Sequence, residues 1–168
     1  GATNVLRSSG PALGLFVLIL DMAKSIIPVA ILNQINYFDL NGSIQFFALL
    51  FIIGHCYPIY NKFKGGKGVA TGIGPLVIIF FPSSIAALII FILIIFLTKY
   101  VSAASILGCL SALISMLIFN FAGLYDSTYY DLIFLIPAIS IIIYKHNENI
   151  SRIINNKENK LSFKKKWL

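Results

Sequence analysis

The sequence predicts an all-α, polytopic integral membrane protein, and three observations predict it. Hydrophobic residues form 58% of the 168-residue chain and charged residues only 11%. The mean hydropathy of +0.90 lies far outside the range of ordinary soluble domains. The apolar residues fall in six runs, with most of the 13 Lys and Arg gathered between or after them. The net charge of +7 therefore points to anionic lipid head groups rather than to nucleic acid, for which such a chain has little soluble surface. Cys56 and Cys109 lie in or beside apolar runs with neither zinc-ligand nor disulfide spacing, and read as packing residues.

Residues 1–10 are polar and rich in turn formers, and read as a loop entered midway. Apolar runs follow at 11–33, 43–58, 69–81, 85–98, 103–121 and 129–144. Each is expected to be helical, because a bilayer offers no partner for unpaired backbone groups. The stretch 69–98 reads as one long tilted helix or as two short ones broken at Phe81-Pro82-Ser83-Ser84. A hairpin there puts Arg7, Lys62, Lys64, Lys67, Lys99 and the tail from Lys145 on one face, while 34–42, 82–84 and 122–128 carry no Lys or Arg. The positive-inside rule favours that hairpin: six transmembrane helices, with the glycine-rich loop and the C-terminus cytoplasmic. Asp39 and Asp126 then fall in the opposite loops. The expected organisation is a transmembrane domain over 1–145 and a basic tail over 146–168. In the tail, Glu148 and Arg152 are spaced for an i,i+4 pair and Phe163-Lys-Lys-Lys-Trp-Leu168 reads as an interfacial anchor.

Chemistry concentrates in three clusters. Gly54-His-Cys-Tyr-Pro-Ile-Tyr-Asn-Lys-Phe-Lys-Gly-Gly-Lys-Gly-Val-Ala-Thr71 is the richest. Glycines let backbone N–H groups approach an oxyanion closely, lysines add attraction, and a helix opening at Val69 would add its N-terminus. The nucleotide P-loop pattern fails, since Gly68 follows Lys67 where Ser or Thr is required. The plainer alternative is a flexible basic turn. Thr3, Asn4 and Arg7 form a second cluster, suited to phosphate through a guanidinium and its neighbours, or equally to a helix cap with a topology-setting Arg. His146, Asn149 and Arg152 form the third; His146 suits a general base, a phosphate donor or a span terminus. His55 lies nearer a span interior and is expected to orient the adjoining loop. Asp21 and Lys24, at i,i+3 in the first run, read either as functional intramembrane charges or as a neutralising pair. Ser102 and Ser105 face the same site or bond back to helix carbonyls.

Together, Gly1–Gly10, Gly54–Thr71 and Tyr144–Glu158 resemble the three signature motifs of the bacterial glycerol-3-phosphate acyltransferase family known as PlsY. The resemblance rests on Gly-Ala-Thr-Asn-Val-Leu-Arg, on Gly-His-x-x-Pro with Phe-Lys-Gly-Gly-Lys-Gly-Val-Ala-Thr, and on His-x-x-Asn-Ile-x-Arg with Glu158 beyond. Leu20-Asp-Met-Ala-Lys24 and Lys99-Tyr-Val-Ser-Ala-Ala-Ser105 also look like family segments. The family's first helix and the Gly-Ser-Gly-Asn before the position of Gly1 are absent, and are expected upstream as a seventh span and loop. Asn156 stands where the family usually carries Gly.

The resemblance implies acyl transfer from acyl-phosphate to the 1-hydroxyl of sn-glycerol 3-phosphate, giving 1-acylglycerol 3-phosphate and phosphate, in the bacterial cytoplasmic membrane. It implies a catalytic core of Arg7, Lys67, His146 and Asn149. Thr3, Asn4, Lys64, Gly65, Gly66, Gly68 and Ser102 are implied to bind substrate phosphate, with His55 and Glu158 structural beside them. No cofactor and no metal is implied. The donor is already a mixed anhydride, so its own phosphate can accept the hydroxyl proton while the protein aligns the groups and stabilises charge. A soluble-type acyltransferase would show His-x-x-x-x-Asp, but Tyr60 and Ser151 occupy the Asp positions. A membrane anion channel or phosphate transporter is the remaining rival, although all cations but Lys24 lie at one rim.

Overall fold

The computed structural model describes residues 1–35, 42–125 and 129–161, and is helical throughout apart from its connections. Asp39, Asp126 and the 163–168 anchor lie outside the described residues. The order is α1 (Ala2–Ser9), α2 (Pro11–Ile35), α3 (Ser43–Cys56), a 3₁₀ turn (Ile59–Asn61), α4 (Val69–Ile79), α5 (Phe81–Thr98), α6 (Val101–Phe121), α7 (Tyr129–Tyr144) and α8 (Asn147–Ile154).

The start departs from the loop expected there. Residues 2–9 form a helix that Gly10 ends at φ 91°, and α1 then folds onto α2. A Cβ on Gly14 would come within 2.7 Å of Leu6 Cβ, so the glycine permits that approach.

By length and composition, four stretches can cross a bilayer: Pro11–Ile35, Ser43–Asn61, Phe81–Thr98 and Val101–Phe121. A fifth is possible if α7 and α8, bent by 56°, are counted as one. This departs from the expected six at α4, whose 11 residues extend about 16 Å against a hydrocarbon thickness of roughly 30 Å. The break comes at Phe80, extended at φ −151° and ψ 82°, one residue earlier than anticipated. Pro82 instead lies in the first turn of α5, where its missing N–H removes no helical hydrogen bond.

The α4–α5 unit nevertheless returns to the face it leaves. Lys67, just before α4, donates to Asn149, while Ser102, just inside α6, joins Asn149 on Glu158. The Lys99 carbonyl beyond α5 accepts Leu161 N–H at 2.7 Å.

Small residues set the helix contacts, as expected where lipid is no less apolar than a side chain. Gly74 in α4 faces Ser25 and Met22 of α2, and Gly108 in α6 meets the Ala87 carbonyl of α5. Ser83 and Ser115 hydrogen-bond across α5 and α6 at 2.8 Å. At the end remote from the glycine loop, Gln45 Nε2 donates to Asp131 Oδ1 at 2.7 Å and ties α3 to α7. Ala48, Ile52, Leu76, Phe80, Met116, Phe134 and Leu135 belong to the buried core between these helices.

Candidate active site

A cavity of about 480 Å³ opens among α1, the glycine loop, α4–α7 and the tail. Its polar part includes Thr3, Asn4, Arg7, Asp21, His55, Gly65, Gly66, Lys67, Ser102, His146, Asn149 and Glu158, and its apolar wall Leu76, Leu88, Phe91, Phe134 and Ile139. That volume suits a small ligand with a lipid chain entering beside it.

Glu158 organises the polar part. Its carboxylate accepts from Ser102 Oγ at 3.0 Å, Asn149 Nδ2 at 2.8 Å and Arg152 Nε at 2.8 Å. Burial alone would raise the Glu158 carboxyl, but these three hydrogen bonds and the Arg152 charge outweigh it and hold the group below its ordinary range. Asn149, only 5% exposed, turns its amide nitrogen to Glu158 and its oxygen to Lys67. The chemistry allows no other orientation, since a carboxylate only accepts and an ammonium only donates. Burial lowers the Lys67 ammonium below its usual value, helped by Arg152 and Arg7 and opposed by Glu158 and Glu148.

His146 is 2% exposed at the turn into α8, with Nδ1 at 2.7 Å from the Ile142 carbonyl. A carbonyl accepts only, so Nδ1 carries the hydrogen and the neutral ring presents an unprotonated Nε2. Burial lowers its pKa most strongly and Lys67 lowers it further, against opposition from the Ile142 bond and Glu158. Arg7 lines the same cavity from α1 and donates to the Asn159 carbonyl at 3.0 Å, joining the first helix to the tail.

The glycines are shaped by what lies behind them. Gly66 N–H donates to the His55 carbonyl at 3.0 Å. A Cβ at Gly66 would sit 1.9 Å from His55 Nε2, and one at Gly65 would sit 2.1 Å from the His55 carbonyl oxygen. Gly68, at φ 82°, opens α4 in the left-handed region. Asn156 also takes a left-handed φ of 54°, a conformation asparagine tolerates.

Most of the residues singled out in the sequence thus converge. Lys64 does not: it is exposed and outside the cavity lining, its carbonyl accepting from Asn61. Ser105 bonds back to the Val101 carbonyl at 2.8 Å. Two features were not anticipated. Lys145 donates to the Cys56 carbonyl at 2.8 Å and lies 4.3 Å over the Tyr57 ring, holding the end of α3. Asp21, Lys24 and His55 meet behind the glycine loop; intramembrane charge was the signal, but their partner was 31 residues further on.

A family model described as glycerol-3-phosphate acyltransferase matches residues 1–156. A protein of that name from Ehrlichia ruminantium (strain Gardel) is 41% identical over 165 residues, covering 98% of this chain and 79% of the relative. One from Finegoldia magna is 39% identical over 163 residues, covering 96% and 77%. The crystal structure of PlsY (YgiH), an integral membrane glycerol 3-phosphate acyltransferase, in its glycerol 3-phosphate form superposes with a TM-score of 0.84 at 33% identity, over 96% of this chain and 78% of that one. Its lysophosphatidic acid form gives 0.83.

Proposed function

Because this chain belongs to the glycerol-3-phosphate acyltransferase family, we propose that it transfers a fatty acyl group from acyl-phosphate to the 1-hydroxyl of sn-glycerol 3-phosphate, at the cytoplasmic face of a bacterial membrane. The observation that carries the reading is that Arg7, Lys67, His146 and Asn149 line one and the same cavity beside an apolar wall. Both substrates carry phosphate and one carries a lipid chain, so one site must be cationic at one end and apolar along the other. The one-sided Lys and Arg of the sequence support the cytoplasmic orientation.

Arg7 and Lys67 attract and hold phosphate oxygens, with glycine-loop N–H groups other than that of Gly66, which is held by the His55 carbonyl, as further donors. The unprotonated Nε2 of His146 accepts a hydrogen bond from the glycerol 1-hydroxyl, so that a lone pair of the hydroxyl oxygen faces the donor carbonyl carbon. A new ester C–O bond forms as the acyl C–O bond to phosphate breaks. The hydroxyl proton passes by way of His146 Nε2 to the departing phosphate, and the products are 1-acylglycerol 3-phosphate and inorganic phosphate. Lys67 contributes by stabilising negative charge as the phosphate leaves. Asn149 and Glu158 keep Lys67 and the tail in register for that step.

Purified protein assayed with palmitoyl phosphate and with palmitoyl-CoA tests the donor. Turnover of glycerol 3-phosphate with the first alone is expected, and comparable turnover with the thioester would refute the donor assignment.

A further inference from the structure

Asp21, Lys24 and His55 form a cluster to which the acyl-transfer reading gives no chemical step; Asp21 and His55 reach the cavity lining, and Lys24 lies behind them. Lys24 Nζ lies 2.6 Å from Asp21 Oδ1 and 2.5 Å from His55 Nδ1, whereas Asp21 Oδ1 is 3.6 Å from Nδ1, beyond a normal hydrogen bond. The ammonium can only donate, so Nδ1 accepts and the hydrogen of the neutral ring resides on Nε2. The ring is thereby fixed in one tautomer and one orientation. Its Nε2 edge occupies the space a side chain at Gly66 would take, and the carbonyl of the same residue accepts Gly66 N–H. The Thr71 hydroxyl, one turn into α4, donates to the Asp21 carbonyl at 3.2 Å, so the segment beyond the loop is tied to α2 at the same level.

We propose that Lys24 is a positioning residue: held by Asp21, it locks His55 against Gly66 and so keeps Gly65, Gly66 and Lys67 in the conformation that receives a phosphate group. The ion pair in the middle of α2 is then explained by what it supports. Neutralising an intramembrane charge requires only Asp21 and Lys24, whereas a third partner on α3 whose other face supports the glycine loop indicates a relay. The phosphate concerned belongs either to glycerol 3-phosphate or to the acyl donor, and in naming these two the inference rests on the acyl-transfer reading.

Equilibrium binding to the detergent-solubilised protein tests the relay without relying on turnover. The probes are glycerol 3-phosphate and hexadecylphosphonate, a non-reactive mimic of the donor's chain and anionic head. Lys24→Met is expected to weaken binding of one probe about tenfold, and the affected probe identifies which phosphate the loop receives. Under saturating substrate, kcat is expected to stay within about threefold of wild type, the split that separates loop positioning from loss of a transition-state contact. Lys24→Gln, which keeps an N–H donor for Nδ1, is expected to restore most of the affinity. Because Lys24 acts through His55, Lys24→Met combined with His55→Gln should bind no more than about twofold worse than His55→Gln alone.

Unchanged binding of both probes in Lys24→Met, or additive losses in the double variant, would overturn the relay. If Lys24→Met is not monodisperse, Asp21→Asn, which frees the ammonium without leaving a gap, is read by the same criteria. Failure of wild-type turnover with palmitoyl phosphate would count against the acyl-transfer reading alone, because the binding comparison is independent of it.

Discussion

Lys67 and Asn149, 82 positions apart in the chain, are joined by a hydrogen bond from the ammonium to the amide oxygen. The glycine loop and the last amphipathic helix are thus one unit at the site, and Asn149 passes the connection on to Glu158. Lys62, only five residues before Lys67, lies exposed on the outer side of the same loop at φ 51°.

That difference predicts unequal effects of two equal charge removals. Lys67→Ala is expected to reduce acyl transfer by roughly 30- to 1000-fold, about 2–4 kcal/mol in the transition state, while Lys62→Ala stays within about threefold. Turnover by membranes normalised for protein content distinguishes them. Equal, small losses would make the loop a topological element only.

Space at the glycines yields a second contrast. Gly66→Ala places a methyl 1.9 Å from His55 Nε2, whereas Gly54→Ala meets nothing within 4 Å. The first is expected to lower kcat/KM by at least about tenfold, since a displacement near 1 Å at a phosphate loop spoils substrate alignment. The second, a helix position where alanine outranks glycine, is expected to retain activity and to be slightly more stable. Kinetics and thermal unfolding in detergent measure both.

Acid is expected to destabilise the protein in two steps. His146 has a folded pKa pushed below its ordinary 6.5, chiefly by burial, so the unfolded chain binds the proton first as pH falls. Its contribution is complete above 6.5 and is lost as pH drops from there through the folded value. Glu158, held below 4.5 by its hydrogen bonds and Arg152 despite burial, contributes fully above 4.5 and loses that contribution at still lower pH. Melting temperatures in detergent across this range should show both declines, with the upper one reduced in His146→Gln. Turnover should fall over the upper step as Nε2 becomes protonated.

Orientation can be tested at two exposed positions in a background lacking Cys56 and Cys109. A cysteine replacing Leu124 is expected to react with an impermeant thiol reagent added to intact cells, and one replacing Tyr60 only after permeabilisation. Labelling of the Tyr60 position from outside would invert the assigned topology.

Sequence by itself determined the class, the helices and the chemical vocabulary of this protein. Apolar runs too long for water leave the backbone no alternative to helix in lipid, so α2, α3, α5, α6 and α7 were legible with small boundary errors. Gly-Gly-Lys-Gly and His146-x-x-Asn149 offered anion chemistry, with a basic turn and a span terminus as the plainer readings of the same residues. Tertiary structure decided the rest because its causes are non-local. Pro82, two residues past Phe80, marked the break between α4 and α5 in the sequence, and the structure places it one residue earlier, leaving α4 with 11 residues, too few to span. Residues 2–9 are helix, packed back on α2 where Leu6 meets Gly14 across the turn at Gly10. Lys64 and Lys67 look alike in a string, yet only one faces Asn149. Lys24 becomes the support of His55, and Glu158 the organising carboxylate at a position where burial removes the competing water, only when the fold brings partners from other helices within hydrogen-bond reach.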